Sequence, residues 1–362
     1  MTRRVDQWVP ALHRGDAIGD STLLMRDALR SWGYVSDIYT YNQDPGVSAV
    51  AFDRWSEGKA DDIVLFHYAL ISPMNAAFAR LGSRRVLQYH NITPPGFFAS
   101  WDTEIHKILD QGLQALGKLA PATTMALGDS EFNRAELERR GFANTGVLPI
   151  AIDFARYAAP GSAVLRKRLA DSRTNLLFVG RIAPNKRHDN LLRVLAYFKK
   201  NISSAVRLLA VGKHPRRETG TGAPIEAHYL DALIRLYSDL GVEPSDVVFT
   251  DGVSHEDLLA CYESAHVFVS MSEHEGFGVP LVEAMLKGVP IIALSGTAVG
   301  ETLGEAGLLF DRPDIVEFAE AAALLSKPGP ARAAILRAQE KRVQDFATAK
   351  TLGRLRDLVR HL

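Results

Sequence analysis

A single cysteine, Cys261, leaves this chain without a partner for an intrachain disulfide, which excludes a disulfide-stapled scaffold and fits a reducing compartment. Net charge is missing as well. Lys and Arg together number 42, as do Asp and Glu, so no global electropositive field argues for nucleic acid as a partner. No apolar run approaches the length of a bilayer span. The opening Met1-Thr-Arg-Arg-Val-Asp-Gln is not followed by the apolar stretch of a secretory signal, so a cytoplasmic location is expected, with peripheral contact at the inner membrane face left open. There is no Asp-x-Asp motif and no His/Cys cluster with metal spacing, so a metal clamp is not indicated. The dinucleotide fingerprint Gly-x-Gly-x-x-Gly is also missing, which disfavours a Rossmann dehydrogenase. Composition says nothing about oligomeric state.

What is present is ordinary globular material arranged in alternation. At 362 residues the chain exceeds one typical core and suggests two domains. Short apolar runs alternate with amphipathic segments, the pattern of an α/β protein with parallel sheets. Candidate strands in the first half are Asp62–Phe66, Arg85–Tyr89, Thr124–Leu127 and Thr145–Leu148. In the second half they are Asn175–Val179, Val206–Val211, Asp246–Phe249, Val267–Val269 and Pro290–Ala293. Helical spacing covers Ser21–Trp32, with Gly33 as its stop, and residues 103–119, 188–200, 226–240 and 255–264. From Val316 onwards the sequence reads mostly helical. Small and turn-forming residues at Ala158–Ser162 mark an interdomain connection, which bounds a first domain at residues 1–160 and a second at 161–345. Arg216–Pro224 reads as a mobile surface loop.

The most informative stretch is Ser272-Glu-His-Glu-Gly-Phe-Gly-Val-Pro-Leu-Val-Glu283. Gly276 and Gly278 permit tight turning and close backbone approach to a ligand, and Pro280 suits a first helical turn. A helix starting there aims its free N–H groups at the turn and favours an anion. Glu275 before the turn and Glu283 after it can face a polyol, which suggests a ligand both phosphorylated and rich in hydroxyls. The glycines alone describe only a strand-to-helix turn.

A second segment, Phe178-Val-Gly-Arg-Ile-Ala-Pro-Asn-Lys-Arg187, follows a strand and carries Arg181 and Lys186. Arg181 offers a planar fork for phosphate oxygens and Lys186 a compact charge; Arg187 is expected to be solvated. Cations preorganised at a departing diphosphate stabilise the transition state. In the first half His90, with Asn91 beside it, closes a strand where it can orient a hydroxyl or move a proton, and His67 closes its neighbour. Gly15, Gly19 and Asp20 stand before the first helix: Asp20 or Ser21 caps it, or Gly19 lets the backbone approach a phosphate or acceptor. Ser130 caps the helix that follows it. Because ligands of open parallel sheets collect beyond the strands' carboxyl ends, one interdomain crevice is expected to hold these segments.

Taken together, the segments resemble the retaining glycosyltransferases of family 4, with the GT-B fold. Glu275-(x7)-Glu283, Gly180-Arg181-(x4)-Lys186, Gly252 after its strand and Ala306–Asp311 occur in family order, and Asp129–Leu137 looks like the family's N-domain signature. The resemblance implies two Rossmann-like domains facing a crevice, with a C-terminal helix near residues 346–362 returning to the first. It implies a nucleoside-diphosphate sugar as donor co-substrate, no cofactor or metal requirement, and a saccharide or lipid-linked acceptor. By resemblance Arg181 and Lys186 bind the diphosphate, Glu275 the sugar, assisted by backbone at Gly276, Phe277, Gly278 and Val279, and Glu283 the ribose. His90 matches the histidine near the reacting sugar. The family often has adjacent glycines in its first loop, whereas Gly15 and Gly19 are separated here. A sugar-nucleotide epimerase and a non-catalytic sugar-nucleotide binder stand as alternatives.

Overall fold

The computed structural model describes residues 3–212 and 227–362; the segment Arg216–Pro224 lies outside them. The chain divides into two compact units. Met1–Pro94, Lys107–Asp153 and Phe346–Leu362 make one, and Pro95–His106 with Phe154–Asp345 the other.

The first unit contains β1 (Val5–Trp8), β2 (Ala11–Leu12), β3 (Ile38–Thr40), β4 (Asn42–Gln43), β5 (Val50–Ala51), β6 (Ile63–Tyr68), β7 (Arg84–Tyr89), β8 (Met125–Gly128) and β9 (Thr145–Val147). Seven of these form a parallel sheet in the order β5-β3-β1-β6-β7-β8-β9, and β2 pairs with β4 separately. Every residue of β6 is buried, as in a strand covered on both faces. Alternation along the strands sends Val5, Ile63, Leu65 and Val86 to one face, where they meet Met25, Leu29 and the C-terminal helix residues Leu355 and Val359. Trp8, Val64, Phe66 and Leu87 fill the other face with Phe78 and Leu116.

The second unit contains β10 (Thr174–Val179), β11 (Val206–Gly212), β12 (Val247–Asp251), β13 (Val267–Ser270), β14 (Ile291–Leu294) and β15 (Leu308–Phe310). They form a parallel sheet in the order β12-β11-β10-β13-β14-β15. Its core joins Leu176, Phe178, Leu208 and Val269 to Leu195 and Phe198 of helix His188–Asn201 and Phe318 of helix Ile315–Leu325.

Both sheets carry the same consequence of chain order. In the first, β1, β3 and β5 run outward one way and β6 to β9 the other; in the second, β10 to β12 and β13 to β15 do likewise. The β1/β6 and β10/β13 borders are therefore topological switch points, where loops diverge and leave room at the strands' carboxyl ends.

Two readings of the sequence need correction. The first helix spans Ala17–Ser31, four residues earlier than its hydrophobic spacing indicates, and its cap is Asp16, whose side chain accepts from Gly19 N–H. Asp20 thus lies in the first turn, and the Ser21 hydroxyl accepts instead from Ala151 N–H at 3.0 Å. The central strand β1 also lacked an apolar pattern, because Asp6 and Gln7 are polar yet buried.

Candidate active site

The loops after β10 and β13 flank the switch point of the second sheet, and between them they carry the two segments that stand out in the sequence. Gly180 N–H donates to Val211 O at 2.9 Å. A Cβ on Gly212 would lie 2.0 Å from Gly180 O, so the glycines let the ends of β10 and β11 close together. Arg181 is exposed and makes no ion pair among the described residues. Beyond it a short 3-10 turn, Pro184–Lys186, is locked by the buried Asn185. The Asn185 amide donates to His274 O at 3.1 Å, and Asn185 O accepts from Glu273 N–H at 2.9 Å.

This stitching brings Lys186 and Glu275 face to face, with Nζ 2.6 Å from Oε2 and each side chain 17% exposed. Glu275 is held from behind: its N–H donates to Thr297 Oγ1 at 2.9 Å and its carbonyl accepts from Ala298 N–H at 3.3 Å. The following turn is pinned where Thr302 Oγ1 donates to Phe277 O at 2.6 Å. Gly276 is half-buried and Phe277 buried. Gly278, at φ +87°, caps helix Val279–Leu286 in the left-handed region, a conformation that favours glycine. Lys186 and Glu275 thus stand beside a helix start, an arrangement suited to a polar, anionic ligand.

Glu283 has different company. Its carboxylate is buried, one oxygen accepting from the Tyr157 hydroxyl and the other from the Tyr262 hydroxyl at 2.6 Å. Burial pushes its carboxyl above the ordinary range, against the opposing pull of the two phenols. Burial and the neighbouring Glu283 together raise the Tyr262 phenol well above its usual value. Neither tyrosine is recognisable as a partner in the sequence, because Tyr157 lies 126 positions from Glu283.

Arg187, expected to be solvated, is engaged on two sides. It pairs with Asp189 at 2.9 Å and with Glu273, and its backbone sits at φ +53°. Burial would push the Asp189 carboxyl up, but the Arg187 guanidinium outweighs it and holds it below the ordinary range.

In the first unit, His90 directly follows β7 and its side chain is 1% exposed. Its Nδ1 lies 2.9 Å from Asp129 Oδ2 and its Nε2 2.9 Å from His67 Nδ1. Asn91, at φ +71°, donates to Asn133 Oδ1 at 2.8 Å. Ser130 caps helix Glu131–Arg139, accepting from Asn133 N–H at 3.2 Å. Gly15 turns at φ +74°, and a Cβ on Gly19 would lie 2.1 Å from His13 O, so close backbone packing requires that glycine. In the sequence Asp129 stands out only as the start of the segment Asp129–Leu137; its bond to His90 was not legible there, and neither was the participation of Gln7 from β1.

Two parallel α/β units with these loop sites at their strand ends define the GT-B class of fold. The family model described as glycosyl transferases group 1 matches residues 166–342. Over 196 residues the chain is 35% identical to D-inositol 3-phosphate glycosyltransferase of Rhodococcus jostii (strain RHA1), covering 52% of this chain and 41% of that protein. It is 32% identical over 181 residues to a GDP-mannose-dependent alpha-(1-6)-phosphatidylinositol monomannoside mannosyltransferase of Mycolicibacterium smegmatis, covering 46% of this chain and 43% of that protein. The chain thus spans about two fifths of the length of these curated relatives. Among solved structures, Anabaena Alr3699/HepE in complex with UDP and glucose superposes with a TM-score of 0.72 at 16% identity, covering 99% of this chain and 100% of that one.

Proposed function

We propose that this protein is a retaining glycosyltransferase of family 4, moving a mannose- or glucose-type hexose from a nucleoside-diphosphate sugar to a saccharide or glycolipid acceptor. The observation that carries this reading is the Lys186–Glu275 pair at the β10/β13 switch point, beside the Gly278-capped helix. Paired at 2.6 Å, the two groups leave neither charge uncompensated. A donor would separate them, Lys186 turning to the diphosphate and Glu275 to hydroxyls of the transferred sugar. GDP-mannose in the name of one relative, and UDP with glucose in the complex of one solved structure, support a sugar-nucleotide donor.

Transfer then proceeds on the face from which the nucleoside diphosphate departs. Arg181 and Lys186 stabilise the charge growing on the leaving oxygens without a metal, and a phosphate oxygen helps to take the acceptor proton. Gly276, Phe277, Gly278 and Val279 offer backbone to the donor, and Glu283 binds the ribose once Tyr157 yields an oxygen. His90, Asn91 and the Gly15–Asp20 turn serve the acceptor side. With neither a membrane-crossing helix among the described residues nor a net charge to draw it to lipid, the protein is expected in the cytoplasm, with peripheral membrane contact for a lipid-linked acceptor.

A panel of nucleotide sugars scored for thermal stabilisation identifies the donor, since bound ligand raises apparent stability with its affinity. With that donor and an acceptor in hand, Lys186→Ala and Glu275→Ala are each expected to lower turnover about tenfold or more, at roughly 1.4 kcal/mol of lost transition-state stabilisation per factor of ten. Full turnover in a folded variant of either residue refutes the assignment.

A further inference from the structure

Across the carboxyl ends of four adjacent strands of the first unit runs one continuous line of buried side chains. Gln7 stands on β1, His67 on β6, His90 just after β7 and Asp129 just after β8, and the line crosses the β1/β6 switch point. The spacings are 3.0 Å from Gln7 Oε1 to His67 Nε2, 2.9 Å from His67 Nδ1 to His90 Nε2, and 2.9 Å from His90 Nδ1 to Asp129 Oδ2. Gln7, His67 and Asp129 are themselves 0%, 1% and 3% exposed.

The hydrogen-bonding capacities of these groups fix the proton count. Gln7 Nε2 donates to Thr22 O at 3.0 Å, so its amide oxygen faces His67, and an oxygen there can only accept. His67 Nε2 therefore carries a hydrogen. The His67–His90 contact needs one proton between its two nitrogens, and the His90–Asp129 contact needs one more. That makes three protons, whereas two neutral imidazoles and a carboxylate hold two. Asp129 Oδ1 accepts from the Gln88 amide at 3.0 Å, which favours the ionised carboxylate. The extra proton belongs on one of the rings. On His67 it would sit on a fully buried ring whose bonds go to Gln7 and His90, neither of them a carboxylate, and burial together with His90 holds that ring well below its usual value. On His90 it makes an ion pair with Asp129.

We propose that His67 is a positioning residue that, with Gln7 and Asp129, holds the His90 ring doubly protonated and fixed in orientation. His90 then has no lone pair with which to take a proton. Its contribution at the strand ends is positive charge held in place, and general-base catalysis by this histidine is excluded. The kinetic consequence rests on the glycosyltransferase reading above; the protonation state does not.

Two experiments separate them. Imidazole 15N–1H spectra of the substrate-free, ring-labelled protein at neutral pH are expected to show both His90 nitrogens protonated and His67 Nδ1 bare. A bare nitrogen on His90, or a doubly protonated His67, overturns the proposal whatever the enzyme does. In transfer assays His67→Leu is expected to lower kcat about tenfold or more, as loss of an orienting partner does, with the donor KM within about twofold. His67→Asn returns an acceptor oxygen near the Nδ1 position and is expected to recover both the two His90 N–H signals and most of the rate. His67→Asn that folds, keeps the wild-type spectrum of His90 and yet remains as slow as His67→Leu removes the positioning role.

Discussion

At the scale of single residues, charge is set here by contacts that sequence spacing does not reveal. Glu283 stood out for its seven-residue separation from Glu275, which was legible; its burial under Tyr157 and Tyr262 was not, because both phenols come from distant positions. Its carboxyl lies above the value of about 4.5 that it has when unfolded. Folding therefore takes up a proton between those two values, and stability falls as pH rises through that window. Above it the protein bears the full cost of a buried charge. Glu283→Gln removes that cost, so its Tm relative to wild type is expected to increase between about pH 4 and neutrality, while nucleotide-sugar binding weakens. A Tm difference independent of pH contradicts the assignment of burial as the cause. Arg187 offers a second case. A non-glycine residue at φ +53° is strained, yet its side chain joins Asp189 and Glu273. Arg187→Ala loses the pairs and keeps the strain, whereas Arg187→Gly loses the pairs and relieves it. The glycine variant should be the more stable of the two by about 1 kcal/mol in denaturant unfolding.

Elements were legible in proportion to how apolar they are. β6, β7, β10, β11 and β13 stand where runs such as Ile63-Val-Leu-Phe66 and Leu176-Leu-Phe178 place them, because a strand covered on both faces needs continuous apolar side chains. β1 was invisible since Asp6 and Gln7 occupy its middle, and those two polar residues are there to make bonds: Asp6 pairs with Arg4 at 2.6 Å and Gln7 reaches His67. β3 and β15 have only three residues each, too few for a periodic signal. Helix starts are misread for a related reason. Asp16 caps a turn whose first residues, Ala17 and Ile18, precede the amphipathic stretch, and Gly19 reads as a loop residue although it is helical. Its glycine is imposed by the His13 carbonyl at 2.1 Å from any added Cβ. Gly19→Ala is accordingly expected to destabilise the first unit by about 1–3 kcal/mol, measured as a shift in denaturant midpoint. An unchanged midpoint means that this helix start can move away from His13 at no cost.

At the scale of the whole molecule, each unit has its own core, and the chain enters the first unit three separate times. The last entry, Phe346–Leu362, contains helix Thr348–His361, whose Leu355 and Val359 are each 1% exposed against Val5, Met25 and Leu29. Thr348 Oγ1 donates to Ile152 O at 2.5 Å, and Arg3 Nη1 to Val359 O at 2.8 Å, so polar contacts hold both ends of the helix. Removing residues 346–362 would expose those apolar side chains on one face of the first sheet while leaving the packing around Phe178, Phe198 and Phe318 intact. Two buried aliphatic side chains contribute about 3–6 kcal/mol between them, a large share of a domain's net stability. The truncated chain is therefore expected to lose hydrogen-exchange protection in β1, β6 and β7 and to keep it in β10, β11 and β13, because protection follows the local free energy of opening. Equal loss in both sheets would mean that the two cores fold as one cooperative system; no loss in either would mean that the helix adds nothing to the core it covers.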